Sequence, residues 1–439
     1  MTVFDINFFR LICCVMIFLS NSSSFPIPKI IKRIAMPPNQ ISLDQLFNPE
    51  DDNGSKIRVA ILGCGMMGQE HISYISCYPD LRIDFICDPN EPSLNRSVKV
   101  LKEFAASAAM PMLLRDEDDL LSFASVIDLL VIASPNYLHT DSLLQWAGKD
   151  VSILVEKPVA ISRAQHDQLQ ALQRTHPQSR IWVAMEYRYM PAIAKLLQLL
   201  PDIGELKMVT IRENRFPFLK KIGDWNRDID KTGDTLVEKC CHFWDLFRLI
   251  TGKEVEMDNL RSIVQRGLNY EDEEDRREIP ILDSAYVILP FHSEDGNKNT
   301  KGKTIQTIGC LELCMYADGS RHQEEIIVTG TKGRLEAYLP ENKVYKFKRP
   351  TQKEWTDRTI PPDPVKPTIY DCSVEDVHGL TIPSHGGYHY SSTSVEWYNL
   401  IQTHRRYIET GLWKPQVSLH DGLRAVEIGL EATRAIINE

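Results

Sequence analysis

The stretch IRVAILGCGMMG, Ile57 to Gly68, constrains this chain more than any other. An apolar, β-branched run ends in glycines spaced G-x-G-x-x-G, which reads as a buried strand turning tightly into a helix. Alone, that glycine spacing is a weak signal, because many turns are rich in glycine. Here a helical stretch, QEHISYISCY, follows it, and Asp88 ends the next strand-like run about 20 residues on. Strand, glycine turn, helix and distal acid together make the pattern that holds a dinucleotide. Gly63 permits the turn, Gly65 lets a pyrophosphate approach the backbone, and Gly68 allows close packing of helix on strand. Met66 and Met67 open the helix, whose N–H groups and positive dipole end face the phosphates. Asp88 can accept bonds from both hydroxyls of an adenine ribose and repels a 2′-phosphate, which favours NAD. Arg96 nearby leaves NADP open.

From Lys56 onward, strand-like and helical runs alternate. RIDFICD (Arg82 to Asp88), DLLVIAS (Asp128 to Ser134) and SILVEKP (Ser152 to Pro158) are short and strongly apolar, as strands covered on both faces are. YLHTDSLLQWAGK and SRAQHDQLQALQRTH, the second capped by Ser162, read as helices. The alternation predicts an α/β fold with an N-terminal Rossmann domain, a doubly wound parallel sheet, over residues 56–178. After Ser179 the style changes. RIWVAMEYR and GELKMVTIREN read as strands, and one helix is expected from Thr235 to Ile250. DSAYVILPFH, TIQTIGCLELCMYA and EEIIVTGTKGRLEAYL read as long strands of an open, mostly antiparallel sheet. HSEDGNKNTKGK reads as a polar hairpin tip, and KRPTQKEWTDRTIPPDPVKPTIYD as a proline-rich surface loop. Helices at Ser394 to Thr410 and after the capping-box pattern Ser418–Asp421 close a C-terminal α/β domain, residues 179–439.

Residues 1–55 read as an extension outside this fold. The apolar run LICCVMIFL is too short to span a bilayer but suits the core of a signal peptide, and SSSFPIP resembles the junction of a bipartite plastid presequence. The rival reading starts translation at Met36. The first implies organellar or secretory entry, the second a cytoplasmic protein, and neither leaves a membrane span in the mature chain. With 43% apolar and 25% charged residues the composition is that of a soluble globular protein. A net charge of −10 argues against a nucleic-acid partner. The ten cysteines form no C-x-x-C pair, so buried free thiols are expected rather than a disulfide framework or a zinc site.

Two places carry chemistry without any reference to known proteins. Glu238, His242 and Asp245 stand at i, i+4 and i+7, on one face of the expected helix. Their neighbours Leu236, Val237, Phe243, Trp244, Leu246 and Phe247 are apolar, so a polar stripe there should face a partner or a pocket. A carboxylate beside His242 can raise its pKa toward neutrality. Other readings stand beside this one: Thr235 to Glu238 as a capping box, His242 as a satisfied core histidine, and a Glu/His/Asp metal site. That last lacks a fourth ligand, so no metal is expected. Lys157 lies just past a strand's carboxyl end, where open α/β sheets bind ligands, and Pro158 restricts its backbone to extended conformations.

GCGMMG, ASPNYLH (Ala133 to His139), EKP (Glu156 to Pro158), YRYMP, IGEL and EKCCHFWDLFRLITG occur in this order, and the chain from Lys56 onward resembles the Gfo/Idh/MocA oxidoreductases. The resemblance implies a Rossmann domain followed by an α/β domain whose open sheet often forms subunit interfaces, hence a homo-oligomer, dimer or tetramer. It implies hydride transfer between a nicotinamide cofactor and a secondary alcohol of a sugar, polyol or inositol-type substrate. Lys157 matches the family's catalytic lysine and His242 its catalytic histidine. Ser134, Pro135, Asn136 and His139 fall where the nicotinamide half is held, with Glu156 beside them. Inositol-dehydrogenase-like members carry aspartate four residues before that histidine, whereas this chain has Glu238, which puts substrate identity in doubt.

The mechanism expected is acid–base work on one hydroxyl: His242 as general base, Lys157 stabilising the alkoxide, Glu238 tuning the histidine. Arg188, Asp245 and Tyr388 are candidate substrate contacts. Two other functions stay open, a redox-assisted glycoside cleavage that reoxidises its NAD and a non-catalytic cofactor sensor.

Overall fold

Six apolar runs of the N-terminal half pair as parallel strands: β1 (Ile57–Leu62), β2 (Leu81–Cys87), β3 (Met112–Leu114), β4 (Leu129–Ile132), β5 (Ser152–Val155) and β6 (Arg180–Val183). Their order across the sheet is β3-β2-β1-β4-β5-β6, so the chain winds first to one side of β1 and then to the other. In the computed structural model, which describes residues 56–266, 281–292, 305–356, 366–382, 389 and 391–437, β4, β5 and β6 are buried at every position. That is why they read as continuous apolar runs rather than alternating ones. Because β6 pairs with β5, this sheet reaches Val183, past residue 178 where the sequence changes style.

The second sheet has eight strands: β7 (Leu206–Asn214), β8 (Arg261–Arg266), β9 (Leu282–His292), β10 (Ile305–Cys314), β11 (Glu324–Gly330), β12 (Gly333–Leu339), β13 (Lys343–Lys348) and β14 (Thr368–Asp371). Their order is β14-β13-β12-β11-β7-β10-β9-β8, antiparallel except where β10 runs beside β7. Burial alternates along β9 and β11, as it does in strands with one covered face. Met208, Ile263, Tyr286, Ile288 and Ile308 stand exposed on the other face. The proline-rich stretch expected as a loop contains a helical turn, Gln352–Thr356, and the edge strand β14. Most of the expected hairpin tip after His292, and all of residues 1–55, lie outside the described residues.

Five helices position the site: α1 (Met66–Ile75), α2 (Thr235–Glu238), α3 (Cys241–Thr251), α4 (Ser392–Thr410) and α5 (Leu419–Arg434). The single helix expected from Thr235 to Ile250 is two, broken at Lys239 and Cys240. The carbonyls that would carry it through are taken by side chains. Leu236 O accepts the Trp244 indole N–H at 2.7 Å, and Glu238 O accepts both Lys157 Nζ and Cys241 Sγ. Nor does Thr235 start a capping box. Asp234 caps α2, its Oδ1 accepting from the N–H groups of Thr235 and Leu282 at 2.8 Å each. Helix α5 opens with the expected box between Ser418 and Asp421 and ties the two halves together. A Cβ on its Gly422 would meet Val183 and Val159, and one on Gly429 would lie 2.5 Å from Leu236 O.

Candidate active site

The glycine turn is locked by its neighbours. Gly63 has φ +94°, and a Cβ there would stand 2.4 Å from the Ser134 backbone nitrogen. Gly65 has nothing within 4 Å of its would-be Cβ, so the face of the loop that a pyrophosphate would approach is open. It also precedes α1 without offering a side-chain cap, which leaves that helix's first N–H groups to a ligand. Met66 is exposed and Met67 half-buried at that end. Asp88 sits just past β2, half-buried, accepting from Cys64 N at 2.6 Å and from Asn90 N at 2.7 Å. These bonds aim its carboxylate across the loop. The residues present therefore fit a dinucleotide.

After β4, Pro135 leads into the 3-10 turn Asn136–Leu138. The Ser134 hydroxyl and the Asn136 amide nitrogen are buried without a hydrogen-bond partner among the described residues. They are donors held ready beside the loop. His139 is placed differently from the expectation. Its two ring nitrogens lie 2.8 Å from the carbonyls of Pro158 and Ser134, so it clamps the β4 loop to the β5 loop. Glu156 also turns inward. It accepts from His71 Nε2 at 2.8 Å, and the Trp397 indole donates to His71 Nδ1 at 3.0 Å, which fixes the imidazole so that Nε2 carries the donated proton. Both residues serve the shape of the crevice.

Lys157, joined to Pro158 by a cis peptide bond, extends from the end of β5 to the break between α2 and α3. Its Nζ donates to Glu238 O at 3.2 Å. Burial works against the ammonium, but the carboxylates of Glu238, Glu186 and Glu156 hold its pKa well above the usual lysine range. Burial also opposes the charge of Glu238, whose carboxyl is nonetheless held low by Lys157 and Lys221. So Glu238 answers the lysine rather than the histidine. The carboxylate nearest His242 among those in contact is Glu186, 3.6 Å from its Nε2.

His242 is buried, and neither ring nitrogen has a hydrogen-bond partner among the described residues. Its ring stacks on Tyr187 with centroids 4.1 Å apart and planes 7° from parallel. Burial, then the charges of Lys157, Lys239 and His389, push its pKa well below the ordinary value. The expected rise toward neutrality is reversed, because burial and then the cations outweigh the carboxylate. A neutral imidazole results, able to accept a proton. Beneath it Tyr187 accepts from Lys239 Nζ at 2.6 Å and donates to Glu324 at 3.2 Å.

Asp245 does not join this group. Both its oxygens receive Arg188, at 2.5 Å each, and Arg188 also donates to Gln416 O at 2.8 Å. The two candidate substrate contacts are thus paired with each other. Tyr388 lies outside the described residues. Glu186 and His389 are not among the residues the sequence pointed to, although Glu186 directly precedes YRYMP and His389 directly follows the candidate Tyr388. Their chemistry-bearing atoms and one ring nitrogen of His242 lie within 4.8 Å of one another, a spacing at which a divalent cation could also be held.

Comparisons with known proteins bear on the fold and the family. A family model described as an oxidoreductase family with an NAD-binding Rossmann fold matches residues 57–184, and its C-terminal alpha/beta domain matches residues 199–438. Inositol 2-dehydrogenase of Arthrobacter sp. is 28% identical over 210 residues, 47% of this chain and 57% of that protein. The chain spans about half the length of the curated relatives it matches, 52% to 57% for three of them. An oxidoreductase domain protein from Kribbella flavida superposes with a TM-score of 0.67 at 18% identity, over 87% of this chain and 97% of that one. Levoglucosan dehydrogenase, in a complex with NADH and levoglucosan, gives 0.66 at 16% identity over the same shares. At these identities the two solved structures speak for the fold alone.

Proposed function

We propose an activity from one premise, that this chain belongs to the Gfo/Idh/MocA oxidoreductase family. The protein oxidises a secondary hydroxyl of a sugar, polyol or inositol-type substrate, with NAD as the acceptor. One observation carries the reading. A charged lysine and a neutral, unpartnered histidine, 85 residues apart in sequence, meet around Glu238 and Glu186 at the carboxyl end of β5. Bound NAD would supply the hydride acceptor, held by the glycine turn and Asp88, whose carboxylate disfavours NADP.

Lys157 binds the substrate oxygen and stabilises the negative charge that grows on it. Oriented cations in a water-poor site act strongly on such charge. His242 takes the hydroxyl proton, which its depressed pKa permits, since it is unprotonated when the substrate arrives. Glu238 keeps the lysine charged and in place. The exposed face of the second sheet, with Met208, Tyr286 and Ile288, supports a homo-oligomer.

A panel of polyols, sugars and inositols incubated with the protein and either NAD or NADP tests this. NADH should accumulate with at least one compound. Release of an aglycone without NADH favours the glycoside-cleaving alternative, and no turnover of any compound favours the sensor.

A further inference from the structure

The His242 side chain has no exposed surface, so a proton it accepts needs a route out. The side chain next to it, Glu186, is 2% exposed, and neither of its oxygens makes an aligned hydrogen bond. Beyond Glu186 stands His389, with Nε2 3.0 Å from Glu186 Oε1 and a side chain 13% exposed. The ring's other nitrogen, Nδ1, lies 3.3 Å from Glu70 Oε1, and that oxygen is fixed by the Thr393 hydroxyl at 2.8 Å. Exposure thus rises along the series His242, Glu186, His389, and contacts of 3.6 and 3.0 Å link its members.

We propose that Glu186 and His389 form a proton exit from His242 to solvent, with Glu70 as the positioning residue that orients the His389 ring. This rests on the dehydrogenase reading above. As the substrate C–H bond breaks and hydride passes to NAD, the O–H proton goes to His242 Nδ1. The Nε2 proton of His242 passes to the Glu186 carboxylate, the charged His389 ring releases its Nε2 proton to water, and Glu186 then protonates the Nε2 so freed. One hydride and one proton leave each alcohol, so the sequence balances.

The surroundings suit a proton rather than a metal ion. Around these groups stand Glu70 and His71 from α1, Glu156 and Lys157 from the end of β5, Tyr187, Lys239 from the α2–α3 break, and Glu396 from α4. The ammoniums of Lys157 and Lys239 already act on His242 and would oppose a divalent cation. Burial opposes charge on His389, yet the carboxylates of Glu186 and Glu70 on its two sides override it and raise its pKa. A histidine held between two carboxylates is built to carry a proton. Burial lifts the Glu186 carboxyl up to about 8, against the pull of His389, which makes it a base of strength matched to the transfer.

The test uses the full chain and the best compound from the panel, with His389→Ala and Glu70→Gln as variants and NAD binding as the folding control. For His389→Ala, kcat should fall about 10- to 100-fold with KM nearly unchanged, and added imidazole should restore much of the loss. Glu70→Gln should lower kcat less and shift the pH profile. Chemical rescue separates a proton carrier from a structural residue. Absence of rescue together with an unchanged pH profile in both variants overturns the proposal. So does one equivalent of divalent metal in the purified protein whose removal by a chelator abolishes turnover. A wild-type protein that oxidises nothing on the panel instead removes the dehydrogenase reading beneath it.

Discussion

Around the glycine turn most polar groups find neighbours, the Ser134 hydroxyl and the Asn136 amide nitrogen excepted. Gly63 N–H donates to Cys87 O, Cys64 N–H to Asp88, and His139 links the carbonyls of Ser134 and Pro158. Across the crevice the reverse holds: His242, Glu186 and one oxygen of Glu238 are buried with no hydrogen-bond partner among the described residues. A buried polar atom in that condition costs about 1–3 kcal/mol, and a chain keeps several together only where something else completes them. The first region is a cradle whose backbone form is fixed before a ligand arrives, with a few donors left for it. The second is a set of groups waiting for one. Substitutions in the cradle should therefore act on stability and cofactor affinity, and substitutions in the unpartnered cluster on turnover.

The largest effect expected is in the cluster. His242→Asn removes the base while keeping a polar side chain, and kcat should fall about 10²- to 10⁴-fold with NAD affinity retained, read by steady-state kinetics and by calorimetric titration of NAD. Next comes Arg188→Met, which strands Asp245 as a buried unpaired carboxylate. A loss of about 3–5 kcal/mol in urea unfolding is expected, with KM for substrate unchanged at temperatures where the variant is folded. A raised KM at full stability would return Arg188 to the substrate site.

Within the cradle two glycines should part ways. Gly63→Ala forces a Cβ against the Ser134 backbone at positive φ and should cost about 1–3 kcal/mol of stability. Gly65→Val meets open space and should change stability by under about 0.5 kcal/mol while blocking NAD. Equal stability losses would erase the distinction between scaffold and ligand-facing glycines. The smallest effect is a pH dependence. Glu186 accepts a proton only as the carboxylate, so alcohol oxidation should rise as pH passes through about 8 and carbonyl reduction should fall over the same interval. In Glu186→Gln both limbs should disappear.

The two regions also differ in how far the sequence discloses them. The cradle is local: strand, turn, helix and Asp88 lie within 32 residues, Ile57 to Asp88, and each role follows from spacing. The parallel and antiparallel sheets were legible for the same reason, since burial on two faces or one leaves its period in the residues. The cluster draws on residues 70, 156–157, 186, 238–242 and 389, brought together only by the packing of α1, α4 and the second sheet. Helical spacing put Glu238 beside His242. The break at Lys239 and Cys240 turned it toward Lys157 and left that place to Glu186. The sign of the His242 shift was lost with it, because it depends first on burial and then on how many cations are near, and both are tertiary facts.

The central claim is that Lys157 and His242 act on one substrate oxygen, and the most direct measurement is NADH formation by Lys157→Met on the compound the wild type oxidises best, with NAD affinity measured on the same sample. Turnover should fall by about 10²-fold or more with NAD still bound as in the wild type. A variant that turns over at the wild-type rate would contradict it.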